Sequence, residues 1–85
     1  MKYRDIRENA ANLLERDGWE QGTDHPGKRC VFVALNDGNP EVPFGDIMEA
    51  SYEIEDELGL DIVYWNDVPG RTLEEVLAVL RGTKP

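Results

Sequence analysis

Cysteine and histidine are almost missing from this 85-residue chain, which has one of each, Cys30 and His25. A single cysteine closes no internal disulfide. His25 beside Asp24 and near Cys30 suggests a metal corner, but only acidic oxygens remain to complete it, whereas a stable site uses three or four suitable ligands. No metal or cofactor is expected. The same scarcity argues against thiol catalysis, because a nucleophilic Cys30 needs a base and an orienting group and His25 is the sole imidazole. Flanked by Val31, Phe32 and Val33, Cys30 reads as a core residue. There is no apolar run of membrane-spanning length, and Met1 leads into Lys2-Tyr3-Arg4-Asp5 without the apolar region of a signal peptide. The expectation is a cytoplasmic protein without membrane contact.

Positive charge is missing from the middle of the chain. Between Val31 and Gly70 there is no Lys or Arg, while Asp37, Glu41, Asp46, Glu49, Glu53, Glu55, Asp56, Glu57, Asp61 and Asp67 supply ten acids, and the net charge is −9. Such a field repels nucleic-acid phosphate and attracts a basic protein surface. DNA and RNA binding are therefore not expected, and a partner with a basic surface is.

What is present is a small set of amphipathic segments. Eighty-five residues make one domain with a small core. Tyr3, Ile6, Ala10, Leu13 and Leu14 recur at helical spacing and predict a helix from Tyr3 to Asp17, closed by Gly18 in a left-handed position with Trp19 folding back onto it. Glu20 to Arg29, with Gly22, Pro26 and Gly27, is expected to be a polar surface connection. Asp46 with Glu49 three residues on has capping-box spacing and predicts a helix from Asp46 to Leu58. That helix carries Ile47, Ala50, Ser51, Ile54 and Leu58 on one face and Glu49, Glu53, Asp56 and Glu57 on the other. Gly59, followed by Leu60, repeats the stop signal.

The run Trp65-Asn66-Asp67-Val68-Pro69-Gly70-Arg71-Thr72 is the most specific stretch. Pro69 fixes its own φ and pushes Val68 to an extended conformation, and Gly70 can take the positive φ of a type II turn. Thr72 and Glu75 then have capping-box spacing, so a last helix is expected from Thr72 to Arg81 on the stripe Leu73, Val76, Leu77 and Leu80. Turn chemistry accounts for each residue type here. The competing reading makes Asp67, Arg71 and Cys30 a small-ligand or catalytic site.

The apolar run Cys30 to Leu35 is ambiguous on periodicity alone, and its β-branched content favours a strand that could pair only with Leu60 to Trp65. With these residues laid out, the pattern Gly18-Trp19-Glu20-Gln21-Gly22, then Cys30 with Ala34-Leu35, then Trp65 to Thr72 followed by Glu75-Val76-Leu77 resembles a family. It is similar to small uncharacterised proteins of actinobacteria and their phages, grouped as a domain of unknown function. The resemblance implies a compact helical domain and a phage origin, and it supplies no catalytic residues. It also implies a helix at 30–35, where the family usually reads Cys-Ala-Leu-Gly-Ala-Leu.

The fold expected is all-α, a bundle of about four helices at Tyr3 to Asp17, roughly Gly27 to Leu35, Asp46 to Leu58 and Thr72 to Arg81; the alternative is α+β with a ribbon from 30–35 and 60–65. The expected core combines Ile6, Ala10, Leu13 and Leu14 with Trp19, Cys30, Val31, Val33, Ala34, Ile47, Ile54, Leu58, Ile62, Trp65, Leu73, Val76, Leu77 and Leu80. The expected function is that of a non-enzymatic, phage-encoded accessory factor that engages a host protein through Glu49, Glu53, Asp56 and Glu57. A third expectation is a structural homodimer that pairs through Val31-Phe32-Val33 or Tyr64-Trp65.

Overall fold

The computed structural model of the protein describes residues 2–22 and 27–83. Helix α1 (Arg4–Asp17) forms on the expected stripe and buries Ala10, Ala11, Leu13 and Leu14. Gly18 ends it at φ 101° and ψ 153°, outside the left-handed helical region, so the chain leaves α1 extended and no Schellman return forms. Trp19 instead makes an isolated parallel bridge with Arg29 and packs half-buried against the core. The Glu20 amide donates to the Arg29 carbonyl at 3.0 Å.

Helix α2 (Val31–Asp37) and helix α4 (Ile62–Asp67) occupy the two stretches that a ribbon would have paired, and among the described residues there is no sheet. Each is started by a side-chain cap. The Cys30 sulfur accepts from the Val33 amide at 3.5 Å, and the Asp61 carboxylate accepts from the Tyr64 amide at 3.0 Å. Asp immediately before an apolar run is itself an N-cap signal. The helix count is thus five rather than four among the described residues, and α2 begins at Val31 rather than near Gly27. In this register Val31, Ala34 and Leu35 face inward, and Val33, expected in the core, is 39% exposed.

Helix α3 (Phe44–Leu58) starts two residues before Asp46. Pro43 precedes it in an extended conformation and has no side-chain acceptor, so the Asp46/Glu49 box does not form; Asp46 lies in the first turn, where a negative charge favours the helix dipole. Gly59 closes α3 in the left-handed conformation, its amide donating to the Glu55 carbonyl at 2.8 Å. Leu60 does not fold back and stays 38% exposed.

The Val68 to Arg71 turn has the expected geometry. Gly70 sits at φ 86°, and the Arg71 amide donates to the Val68 carbonyl at 3.1 Å. Helix α5 (Leu73–Arg81) then opens on a complete Thr72/Glu75 capping box. It ends in a Schellman pair, with the Gly82 amide on the Val79 carbonyl at 3.1 Å and the Thr83 amide on the Ala78 carbonyl at 2.8 Å.

Helix α1 packs mainly against α2 and α5, and α2 in turn meets α3 and α4. One core results, joining Ala10, Ala11 and Leu14 to Val31, Ala34, Leu35, Ile47, Ile54, Ile62, Trp65, Val76 and Leu80. The approach of α2 to α1 depends on Gly38. A Cβ there would lie 2.9 Å from the Ala34 carbonyl oxygen and 3.0 Å from that of Asn9, both backbone atoms that cannot turn aside. Gly38→Ala is expected to cost about 1–3 kcal/mol by forcing the two helices apart; urea unfolding measures it, and a loss under 0.5 kcal/mol would mean the contact relaxes freely. Asn39, next in the chain and buried, reinforces the contact by donating to the carbonyls of Ile6 at 2.9 Å and Leu35 at 2.8 Å.

Candidate functional site

The outward stripe of α3 runs Glu49, Tyr52, Asp56, residues spaced by three and four and therefore stacked on one face. All three are exposed, Tyr52 by 52%, and Asp46 is exposed in the first turn of the same helix. Glu53 and Glu57 lie alongside and turn towards α1, where they meet a residue that no apolar pattern announced.

That residue is Arg7, 0% exposed. Its Nη1 donates to Glu53 Oε1 at 2.8 Å and to Glu57 Oε2 at 2.6 Å, and its Nη2 donates to Glu57 Oε1 at 2.9 Å. The other donors reach the end of α5, with Nε on the Leu80 carbonyl at 3.0 Å and Nη2 on the Val79 carbonyl. A guanidinium has five N–H groups, and here each has an acceptor. The cation also lies at the negative end of α5, where the last carbonyls have no helical partner. Burial works against the Arg7 charge, but its hydrogen bonds to Glu57 and Glu53 prevail and raise its pKa. Burial likewise opposes ionisation of Glu53, yet the Arg7 hydrogen bond and the Lys2 amide outweigh it and hold the carboxyl below its ordinary value. Glu53 and Glu57 therefore serve the fold, with side chains 20% and 43% exposed.

The acidic face is thus divided between an inner pair engaged by Arg7 and an outer set, Asp46, Glu49 and Asp56, that makes no ion pair among the described residues. Sequence reading placed Glu49, Glu53, Asp56 and Glu57 on one helix correctly and missed the clamp. The available signal was that Arg7 lies on the apolar stripe of α1, four residues after Tyr3 and seven before Leu14.

Each residue of the competing site is engaged in a structural contact. Cys30 is buried and its sulfur caps α2. The Asp67 carboxylate accepts from Asn66 Nδ2 at 2.9 Å and from the Gly22 amide at 3.0 Å, contacts that lower its pKa. Arg71 lies 4.0 Å from the centre of the Trp65 ring, donates Nε to the Trp65 carbonyl at 3.0 Å and pairs with Glu75 at 3.2 Å. Two surface depressions, one lined by Lys2 to Ile6 and the other by Asn9, Asn12, Leu13, Arg16, Asp37, Gly38 and Pro40, include none of the three. His25 lies outside the described residues, among which no three His, Cys, Asp or Glu side chains gather in a way that could hold a metal ion. No helix among them is long and apolar enough to cross a membrane.

The residue types of the two sequence motifs are explained by a joint centred on Asn66, which is fully buried. Its Oδ1 accepts from Trp19 Nε1 at 2.6 Å and from the Val31 amide at 3.0 Å, and its Nδ2 donates to the Glu20 carbonyl at 3.1 Å as well as to Asp67. Gln21 Nε2 adds donors to the carbonyls of Asn66 at 3.1 Å and Val68 at 2.7 Å. The Gly-Trp-Glu-Gln-Gly and Trp-Asn-Asp motifs are two halves of this structural joint. The surfaces considered for self-pairing divide unevenly: Tyr64 is 69% exposed and Val33 39%, whereas Val31 and Trp65 are buried. No curated protein and no solved structure matches the chain. A family model described as a family of unknown function (DUF6197) matches residues 1–84, and the chain belongs to that family.

Proposed function

We propose that the protein is a non-enzymatic interaction factor that engages a basic surface of another protein through the acidic face of α3. Glu49, Glu53, Asp56 and Glu57 supply the charge, and Tyr52 supplies an exposed aromatic among them. In its fullest form this reading makes the chain a phage-encoded accessory factor acting on a host protein in the cytoplasm. The observation that carries it is the forty-residue stretch from Val31 to Gly70 with ten acids and no Lys or Arg. Arg7 balances only the inner edge of the face, and neither Glu49 nor Asp56 has an ion-pair partner among the described residues, so a negative field faces solvent. Complementary charge of this kind raises association rates and selects partners.

Because Glu53 and Glu57 also hold Arg7, the discriminating variant changes the outer acids alone, Glu49→Gln with Asp56→Asn. The wild-type chain, immobilised and exposed to an actinobacterial host lysate, is expected to retain a basic protein that the double variant loses, with the purified pair weakened about tenfold at 0.15 M salt. Identical captured sets from both chains would overturn the reading.

A further inference from the structure

Of the residues before α1, the two described, Lys2 and Tyr3, both lie against the acidic face. Lys2 donates its backbone N–H to Glu53 Oε2 at 2.9 Å, and Tyr3 donates its hydroxyl to Glu49 Oε2. Two of the four acids offered to a partner therefore already hold a ligand, a segment of the same chain. The Lys2 ammonium lies 5.5 Å from the centre of the Tyr3 ring and adds a cation beside the contact. The hydrogen bond to Glu49, followed by desolvation, pushes the Tyr3 pKa up to about 12, so at neutral pH the phenol remains a donor.

The anchoring is uneven. Arg7 is wholly buried and has an acceptor for every donor, whereas the Lys2 and Tyr3 contacts are both at the surface. A surface hydrogen bond contributes far less than a buried, charge-assisted set, so the Lys2 amide and the Tyr3 hydroxyl can let go while the Arg7 clamp stays closed and the Tyr3 carbonyl keeps the Arg7 amide at 3.0 Å.

We infer that Lys2 and Tyr3 form an intramolecular strap that competes with a partner for Glu49 and Glu53, and that the partner segment able to displace it is arginine-rich. This rests on the acidic-face reading and adds that the face is self-occupied. The strap indicates which chemistry the two carboxylates accept, namely an O–H donor on Glu49, an N–H donor on Glu53 and a cation alongside. A guanidinium presents its N–H donors and charge in one planar fork matched to carboxylates, whereas an ammonium, though also a donor, acts as a compact point charge without that fork. A protein whose binding state is only partly populated shows an affinity reduced by that fraction; for one surface hydrogen bond the reduction is about 3–10-fold.

The test uses the full chain and a fluorescein-labelled hexa-arginine peptide, with binding followed by anisotropy at low salt. Tyr3→Phe, which keeps the ring and removes the hydroxyl, is expected to bind about 3–10-fold tighter than wild type. Binding by wild type without a gain in Tyr3→Phe would overturn the strap and leave the acidic-face reading standing. Equal binding by wild type and the Glu49→Gln/Asp56→Asn chain, or no binding by either, would overturn both. A second readout needs no variant. On saturation of the wild-type protein with peptide, the Lys2 and Tyr3 amide resonances are expected to move to unstructured positions, and resonances that stay fixed while peptide binds would also end the proposal.

Discussion

Arg7→Met is expected to lower stability by about 3–5 kcal/mol, the characteristic cost of removing one partner from a buried ion pair. A domain of this length has roughly 4–13 kcal/mol in total, so a quarter or more of the fold's margin would go. Methionine fills similar space, so the loss comes from what the guanidinium leaves behind. The Leu80 carbonyl loses its side-chain donor, the Val79 carbonyl keeps only the Gly82 amide, and Glu53 is left as a half-buried carboxylate beside Glu57. Glu57 can turn to water, so the penalty falls mainly on Glu53 and the Leu80 carbonyl. Arg7→Lys should rescue little, because a single ammonium cannot reach five acceptors in a planar fork. Adding Glu53→Gln to Arg7→Met should recover part of the loss by removing the unpaired charge.

The response to acid follows from the same pair. The folded-state pKa of Glu53 lies below its ordinary value of 4.5. Its contribution to stability is therefore present above about pH 4.5 and declines as pH falls towards the depressed folded value. Without Arg7, burial is opposed chiefly by the Lys2 amide, so the depression of the Glu53 pKa shrinks and Arg7→Met should lose less stability on acidification than wild type does. Urea unfolding monitored by tryptophan fluorescence at pH 7 and pH 4 measures both effects. A variant within 1 kcal/mol of wild type at pH 7 would show that the clamp contributes little.

The Asn66 joint should be nearly as sensitive. Asn66→Ala is expected to cost about 2–4 kcal/mol, since the Trp19 indole N–H, the Val31 amide and the Glu20 carbonyl lose their partner together. Asn66→Asp changes almost no volume and is informative for that reason. The new carboxylate still accepts from Trp19 and Val31, but it cannot donate to Glu20 and it faces Asp67. Burial and a neighbouring like charge both raise its folded-state pKa. The destabilisation is thus largest at neutral pH and shrinks as pH falls through that raised value and the carboxyl regains a proton to donate. Unfolding at pH 7 and pH 5 separates this from a simple packing defect, which would cost the same at both.

What was legible in the sequence was local. The Val68 to Arg71 turn, the Thr72/Glu75 box and the left-handed Gly59 each depend on residues within a few positions of one another, and each formed as the residue types dictate. Local reading failed where a competing local partner intervened. Pro43 preempted Asp46 as the start of α3, and the Asp61 cap turned the run from Leu60 to Trp65 into a helix where none was expected. Arg7 and Asn66 were illegible for a different reason. Arg7 meets Glu53 and Leu80 across 46 and 73 positions, and Asn66 meets Val31 and Trp19 across 35 and 47. Spacing sets Arg7 on the apolar stripe of α1, but it cannot say which residues so far along the chain will meet it. The acidic stripe of α3 was therefore read as uniform, although its inner edge is committed to the interior.

The span of the Arg7 contacts also bears on how the molecule comes together. Helices α1, α3 and α5 must all be in register before the guanidinium finds its acceptors, so nothing local rewards the first of them for forming. During synthesis Arg7 would emerge early and remain a hydrated cation until α5 followed. The clamp thus belongs to the closing stage of assembly, and its gain arrives all at once.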